Sequence, residues 1–251
     1  MKSVLVVGGV RNTGLSASRR FAKEGWAVFL TSRVKEDADR VASEISEEYN
    51  VPVFGLQYDI NDIYEAPNVI AQIEKKGFSL NSVALCSAAK GMDTDPLICD
   101  IDYWASVINA NVVGNFSMAR AVGKHLVEHK KAGTIVFVGS ITCQDCNEGR
   151  SSYNASKGAI LSITKSFAVD LGKYGIRTNC IMPGPIYTER YDALDEETRK
   201  RRNELVPIGR VSTADDIASG IYFLASEQSG NMNGTGMIMD GGVDCINSGR
   251  Y

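Results

Sequence analysis

The sequence predicts an α/β fold: one Rossmann-like, doubly wound parallel sheet of about seven strands, with helices on both faces. Three observations lead there. Short apolar runs recur along the 251 residues. Each is followed by an amphipathic stretch of helical period, and strand alternating with helix feeds a parallel sheet. No linker, fixed-period repeat or low-complexity segment divides the chain, so residues 1–251 read as a single domain.

Each element has its own reason. SVLVV (3–7), AVFLT (27–31), VFGLQ (53–57), SVALC (82–86), TIVFV (134–138) and TNCIM (178–182) are unbroken runs rich in β-formers. That is the pattern of strands buried on both faces, and MIM (237–239) supplies a last strand. Between them, residues 15–25, 35–49 and 62–76 place apolar side chains at helical spacing beneath charged faces. In such a sheet ligands sit beyond the carboxyl ends of the strands, so the polar residues that follow each run are the ones to question.

Bulk composition narrows the function classes. Apolar residues make up 44% and charged residues 23%, as in an ordinary globular protein. A net charge of −3 gives no basic field for nucleic acid. No stretch approaches the ~18 apolar residues of a membrane span, so a small molecule is the expected partner. The opening MKSVLVVGG lacks the longer apolar core and cleavage site of a signal peptide, and six scattered cysteines form no dense disulfide framework. A soluble cytoplasmic protein with reduced thiols is the expectation.

GGVRNTG follows the first strand. Gly8 and Gly14 frame a turn that runs through Arg11, Asn12 and Thr13 into a helix expected from near Leu15. Such a turn aims free N–H groups and a helix N-terminus at an anion, as a dinucleotide pyrophosphate requires. The spacing is not the common G-x-G-x-x-G, and a glycine turn is often only a tight connection. Asn12, however, is among the few residues besides glycine that tolerate positive φ, which keeps a bent loop feasible. The second strand ends TSRVK, with Ser32 and Arg33 where an NAD-binding domain offers a carboxylate to the ribose. With Arg11 nearby, two guanidiniums suit a 2′-phosphate, which favours NADP(H) over NAD(H); the bland alternative is two exposed surface arginines.

GSITCQDCNEGRSSYNASK, residues 139–157, holds two candidate chemistries: a Cys143 and Cys146 pair at redox or metal spacing, and the set Ser140, Tyr153 and Lys157. Tyr153 and Lys157 are four apart in a segment whose Ile160, Ile163, Phe167 and Leu171 recur at helical spacing, so they share a helix face. A phenol beside an ammonium is more acidic, which suits proton transfer near neutral pH. Tyr-x-x-x-Lys alone is common on helix surfaces, and context has to carry it. Ser140 at the end of a buried strand, the glycine turn and PGPIYT (183–188) supply that context. Together they resemble the short-chain dehydrogenase/reductase family, particularly ketoreductases similar to 3-oxoacyl-carrier-protein reductase. The resemblance covers nearly the whole chain, including PIGRVSTADDIASGIYFLAS (207–226) and NGTGMIMDGG (233–242).

The resemblance implies roles. Tyr153 would be the general acid or base, Ser140 would hydrogen-bond the substrate oxygen, and Lys157 would bind the nicotinamide ribose and acidify the tyrosine. Asn111, in NANVVG, matches the asparagine that holds a proton-relay water, or else merely kinks its helix. Asp59 with Ile60, in YDIND, would meet adenine, Ala88 would face the cofactor, and the loop carrying Pro183, Gly184, Ile186 and Thr188 would close over nicotinamide. The family's usual Thr, middle Gly and Asn-Asn-Ala-Gly are replaced here by Val7, Asn12 and Cys86-Ser87-Ala88-Ala89, all on the cofactor side; Ser140, Tyr153 and Lys157 are intact. An NADPH-dependent reduction of a ketone is the expected activity. A non-catalytic nucleotide sensor or scaffold is the alternative from another class, and an enoyl reductase is a third.

Other features point elsewhere. Cys143 and Cys146 lack a second Cys pair to complete a tetrahedral zinc site and are expected to line or underlie the pocket. HLVEH (125–129) spells a metalloprotease pattern, but with no further ligand evident it reads as two solvated histidines, and no metal is expected. RKRR (199–202), closely preceded by Asp192, Asp195, Glu196 and Glu197, reads as one charged helix of a substrate lid. Pocket walls are expected from 90–99, 141–150 and 186–206. A carrier-protein thioester would need basic residues outside the pocket, for which Lys130, Lys131 and Lys173 are candidates; the competing substrates are a free sugar, polyol, steroid or small keto acid. The resemblance also implies a homo-oligomer, a tetramer or else a dimer, packed through the helices near 103–130 and 152–173.

Overall fold

The computed structural model describes residues 1–93 and 95–246; Thr94, in an expected pocket wall, and residues 247–251 lie outside the described residues. Seven strands pair in parallel in the order β3-β2-β1-β4-β5-β6-β7. They are β1 Ser3–Val7, β2 Ala27–Ser32, β3 Val53–Gln57, β4 Ser82–Leu85, β5 Gly133–Val138, β6 Ile176–Pro183 and β7 Gly236–Met239. Every apolar run becomes a strand. The fourth stops at Leu85, which leaves Cys86 to the loop beyond it.

Alternation along the strands builds two apolar layers. Leu5 and Val7 of β1 face the layer of α3 (Ala66–Lys75), α5 (Asn115–Glu128) and α6 (Ser151–Leu171), where they join Ile73, Met118, Val122 and Ile160. Val4 and Val6 face α1 (Asn12–Lys23), α2 (Lys35–Tyr49) and α9 (Ala214–Ala225), against Phe21, Ile45 and Ile221. Each such side chain contributes about 1.5–3 kcal/mol over its exposed state, so burial on both faces fixes the sheet between its helices.

The helix ends follow local chemistry. α1 starts at Asn12 rather than near Leu15, because Asn12 takes the left-handed φ of 46° that opens it. Thr213 and Asp216 form a capping box at the start of α9. The expected helix near 103–130 is not uniform. α4 (Ile101–Ile108) passes through a π-helical turn, Asn109–Gly114, into α5. At Gly114 a Cβ would stand 2.2 Å from the Ile60 carbonyl oxygen, so the widened turn lies directly against the loop after β3. Among the described residues, no helix is long and apolar enough to cross a membrane.

Candidate active site

The strand order reverses between β1 and β4, so their connections leave in opposite directions and a cleft opens beyond their carboxyl ends. The first turn there is braced from outside. Gly8, at φ 75°, donates its N–H to Thr31 Oγ1 at 3.0 Å, and Ser18 Oγ lies 3.1 and 3.0 Å from the carbonyls of Gly9 and Gly14. A Cβ on Gly14 would stand 2.0 Å from the Gly8 carbonyl oxygen, so only glycine lets the helix approach the turn this closely.

The cleft has a volume of about 480 Å³ and is lined by Gly8, Arg11, Asn12, Thr13, Gly14, Ser32, Arg33, Asp59, Ile60 and Ala88, all expected from sequence. Leu15 instead packs toward the core from the first turn of α1. Pro183, Gly184, Ile186 and Thr188 stand apart from this cleft, in the segment that leaves β6. Its base is fixed by the Gly184 N–H donating to the Met239 carbonyl at 3.1 Å and by the pairing of Ile186 with Ser212.

Sequence reasoning missed Thr31, Asp37 and Tyr58 in the lining. Asp37 lies four residues after Arg33 on the first turn of α2, a spacing that returns it to the same side. Tyr58 directly precedes Asp59. Its buried hydroxyl has no hydrogen-bond partner, and burial together with Asp62 and Asp59 pushes its pKa up to about 12. A glycine-lined turn, a helix N-terminus and this orphaned hydroxyl fit a bound dinucleotide. At the adenosine end, Arg11 Nη2 lies 3.5 Å from Asp37 Oδ2, so one of the two guanidiniums is already partnered.

A second group of side chains gathers beyond β5. Ser140 starts a single turn of 3₁₀-helix, Ile141–Cys143, and its Oγ accepts the Thr142 N–H at 3.2 Å, which leaves its own O–H free to donate. α6 sets Tyr153 and Lys157 one turn apart. Lys157 is 4% exposed; its Nζ donates to the Val138 carbonyl at 2.7 Å and lies 5.5 Å from the centre of the Tyr153 ring. Ser156 Oγ accepts from Asn111 Nδ2 at 3.0 Å. The same Asn111 amide clasps Ala89, accepting its N–H at 2.6 Å and donating to its carbonyl at 2.9 Å. The end of β5, the loop after β4, the π-helical turn and α6 are thus tied into one network.

The loop after β4 is also clamped to the start of α6. The Asp93 carboxylate accepts from Ser151 Oγ at 2.6 Å, from the Ser152 N–H at 2.9 Å and from Ser152 Oγ. Burial alone would raise the Asp93 pKa, but these hydrogen bonds outweigh it and bring the carboxyl down to about 2. Arg150 donates from Nε to the Gly91 carbonyl at 3.1 Å and from Nη2 to the Lys90 carbonyl. A Cβ on Gly91 would meet the Tyr153 Cβ at 2.7 Å, so loop and helix touch at this residue.

Cys143 is half-buried against the core, in keeping with the expected lining or buried role, and faces Cys180, while Cys146 is exposed: a methyl group on Gly139 would stand 2.6 Å from Cys180 Sγ and 2.9 Å from Cys143 Sγ. The interaction with the adjacent Cys180 thiol draws Cys143 below its usual range, against the effect of burial, and raises Cys180 in return. Two other expectations change. HLVEH does not hold two solvated histidines. The His125 side chain is 2% exposed and bonded to Glu74 at 2.8 Å, while that of His129 is 45% exposed. Burial is the main reason that His125 is held below the ordinary histidine pKa. Lys130 and Lys131 precede the amino end of β5 and Lys173 that of β6, the edge of the sheet opposite Ser140 and Tyr153. The basic run RKRR does lie on one charged helix, α8 (Glu196–Glu204), capped by Asp195. A short α7 (Glu189–Asp192) precedes it.

A family model described as enoyl-(acyl carrier protein) reductase matches residues 9–244, and the chain belongs to the short-chain dehydrogenase/reductase family of oxidoreductases. Its relatives differ in what they are named for. It is 28% identical over 244 residues to the 3-oxoacyl-(acyl-carrier-protein) reductase of Chlamydia trachomatis, covering 96% of this chain and 97% of that protein. It is 30% identical over 252 residues to the L-rhamnose-1-dehydrogenase of Scheffersomyces stipitis, covering 96% and 95%. With the NADP-dependent mannitol dehydrogenase of Alternaria alternata it shares 29% over 250 residues, covering 98% and 92%.

Proposed function

We propose that the chain acts as one catalytic domain, an NADP(H)-dependent ketoreductase that interconverts a ketone and a secondary alcohol. The observation that carries this reading is Lys157, a buried ammonium fixed at 2.7 Å by the Val138 carbonyl one helical turn from Tyr153. A lysine buried without a local carboxylate is costly and suits a positioned proton relay better than a surface role. When bound, the nicotinamide exchanges a hydride with the substrate carbon. Tyr153 then holds the proton that passes to or from the carbonyl oxygen, and Ser140 donates its free O–H to the same oxygen. Lys157 keeps two N–H groups for the ribose hydroxyls. The Asn111 carbonyl, which already accepts from Asn115 Nδ2 at 2.9 Å, has a second lone pair for a relay water.

The surface supports a reading of the substrate class. Lys130, Lys131 and Lys173, the residues considered for a carrier protein, stand at the edge opposite the site. That favours a free hydroxy or keto compound of the sugar and polyol kind, for which two of the relatives are named. Replacing Tyr153 by Phe and following NADPH absorbance with a panel of ketones tests the mechanism. A loss of about 10²- to 10⁴-fold is expected for a missing general acid, and undiminished turnover refutes it. Faster turnover of acetoacetyl thioesters than of sugar or polyol ketones would overturn the substrate reading alone. α5, α6 and the 3₁₀ turn after α6 leave Phe116 41%, Val169 80% and Tyr174 46% exposed, the face on which a homotetramer would assemble; a monomer mass by light scattering would contradict this.

A further inference from the structure

On the edge of the sheet opposite the cleft, α3 and α5 end side by side, just before the amino ends of β4 and β5. His125 and His129 stand one helical turn apart at the end of α5, with ring centres 4.3 Å apart, and Glu74 reaches them from the last turn of α3. We infer that Glu74, His125 and His129 form a binding site for a divalent transition-metal ion of the zinc class, remote from the dehydrogenase site. Their ligand atoms all lie within 4.8 Å of one another: Glu74 Oε1 is 2.8 Å from His125 Nδ1 and 3.6 Å from His129 Nε2. Tetrahedral zinc, with bonds near 2.0–2.2 Å, needs ligand atoms about 3.3 Å apart, which this cluster meets with small side-chain shifts.

The surrounding hydrogen bonds suit the ion. His129 Nδ1 donates to the His125 carbonyl at 2.8 Å, which fixes the tautomer whose Nε2 lone pair points into the cluster. His125 has a partner for the opposite tautomer. Its Nε2 lies 3.3 Å from Ser79 Oγ and 3.2 Å from the Leu80 N–H. Without metal, the Nδ1 proton goes to Glu74 and Nε2 accepts from Leu80. With metal on Nδ1, that proton moves to Nε2 and is donated to Ser79 Oγ, so no proton is released and Glu74 stays a carboxylate. The bond from Leu80 is given up, which sets a moderate rather than a tight affinity. Two imidazoles and one carboxylate select zinc, nickel or copper over magnesium or calcium. Glu74 and His129 are 42% and 45% exposed, which leaves an open position for water.

The test uses chelator-treated full-length protein titrated with zinc chloride by calorimetry, and with cobalt chloride by absorbance. Wild type is expected to bind one ion per chain and to melt at higher temperature with zinc. The cobalt spectrum should show d–d bands without the thiolate charge-transfer band that cysteine ligands would produce. His129→Ala leaves the Glu74–His125 hydrogen bond in place, so its metal-free melting temperature should be unchanged while zinc affinity falls about tenfold or more. Zinc affinity equal in wild type and His129→Ala, a thiolate band with cobalt, or no binding at micromolar zinc would each overturn the site.

Discussion

The guanidinium of Arg150 lies 4.1 Å from the centre of the Tyr153 ring while it holds the Lys90 and Gly91 carbonyls. The side chain therefore joins the loop after β4 to the residue assigned the proton-transfer role. Arg150→Met keeps the apolar stem and removes both the stacking and the carbonyl bonds. A partly desolvated cation–π contact contributes about 0.5–2 kcal/mol, so kcat/KM is expected to fall about 2- to 30-fold. Steady-state kinetics with NADPH and a ketone checks this, and a variant equal to wild type would remove Arg150 from the site.

Asp93 gives a pH dependence with a definite sign. Its folded pKa of about 2 lies below the unfolded aspartate value near 3.9, so its contribution to stability is fully present above about pH 4 and is lost as pH falls toward 2. The difference corresponds to about 2 kcal/mol at neutral pH. In urea unfolding, Asp93→Asn is expected to be less stable than wild type by about that amount at pH 7, with the gap closing as pH approaches 3. A gap that is constant with pH would assign the effect to packing rather than to the carboxylate.

The proposed preference for NADPH is tested at Arg33. Arg11 is drawn toward Asp37, which leaves Arg33 the less committed guanidinium at the adenosine end. Arg33→Asp should weaken NADPH binding by at least about tenfold and leave NADH within a few-fold, since removing a charge-assisted phosphate contact costs about 1.5–3 kcal/mol. Fluorescence titration of both cofactors measures it, and an equal loss for the two would contradict 2′-phosphate recognition.

Cys143, half-buried beneath Ser140 with its pKa drawn down by Cys180, should be the thiol most readily alkylated near neutral pH. Its rate with iodoacetamide is expected to rise at lower pH than that of an ordinary free thiol. Cys86, pushed up to about 12 by burial, should not react in the folded protein. Peptide mass mapping across a pH series separates them. NADPH should protect Cys143 if the nicotinamide end lies above Ser140.

The strands were legible because each is an unbroken apolar run, and burial on both faces leaves no other place for such a run. Spacing alone placed Tyr153 and Lys157 on one helix face, while the roles given to them and to Ser140 rest on the family resemblance. The π-helical turn was not legible. Helical periodicity over NANVVG looks regular, and the widening is decided by the close approach of Gly114 to Ile60 across the fold. The burial of His125 was not legible for a related reason: its partner Glu74 lies 51 residues away in sequence.

A π-helical turn closes its hydrogen bonds one residue later than an α-helical one, so Asn109–Gly114 carries one more residue than an α-helical path would need. Delete a single residue there and the two flanking helices can close into an unbroken α-helix with their buried faces still turned to the sheet. What disappears is the displaced Asn111, with its grip on Ala89 and Ser156. A deletion of this kind would separate the folding of the helix from the placement of Asn111.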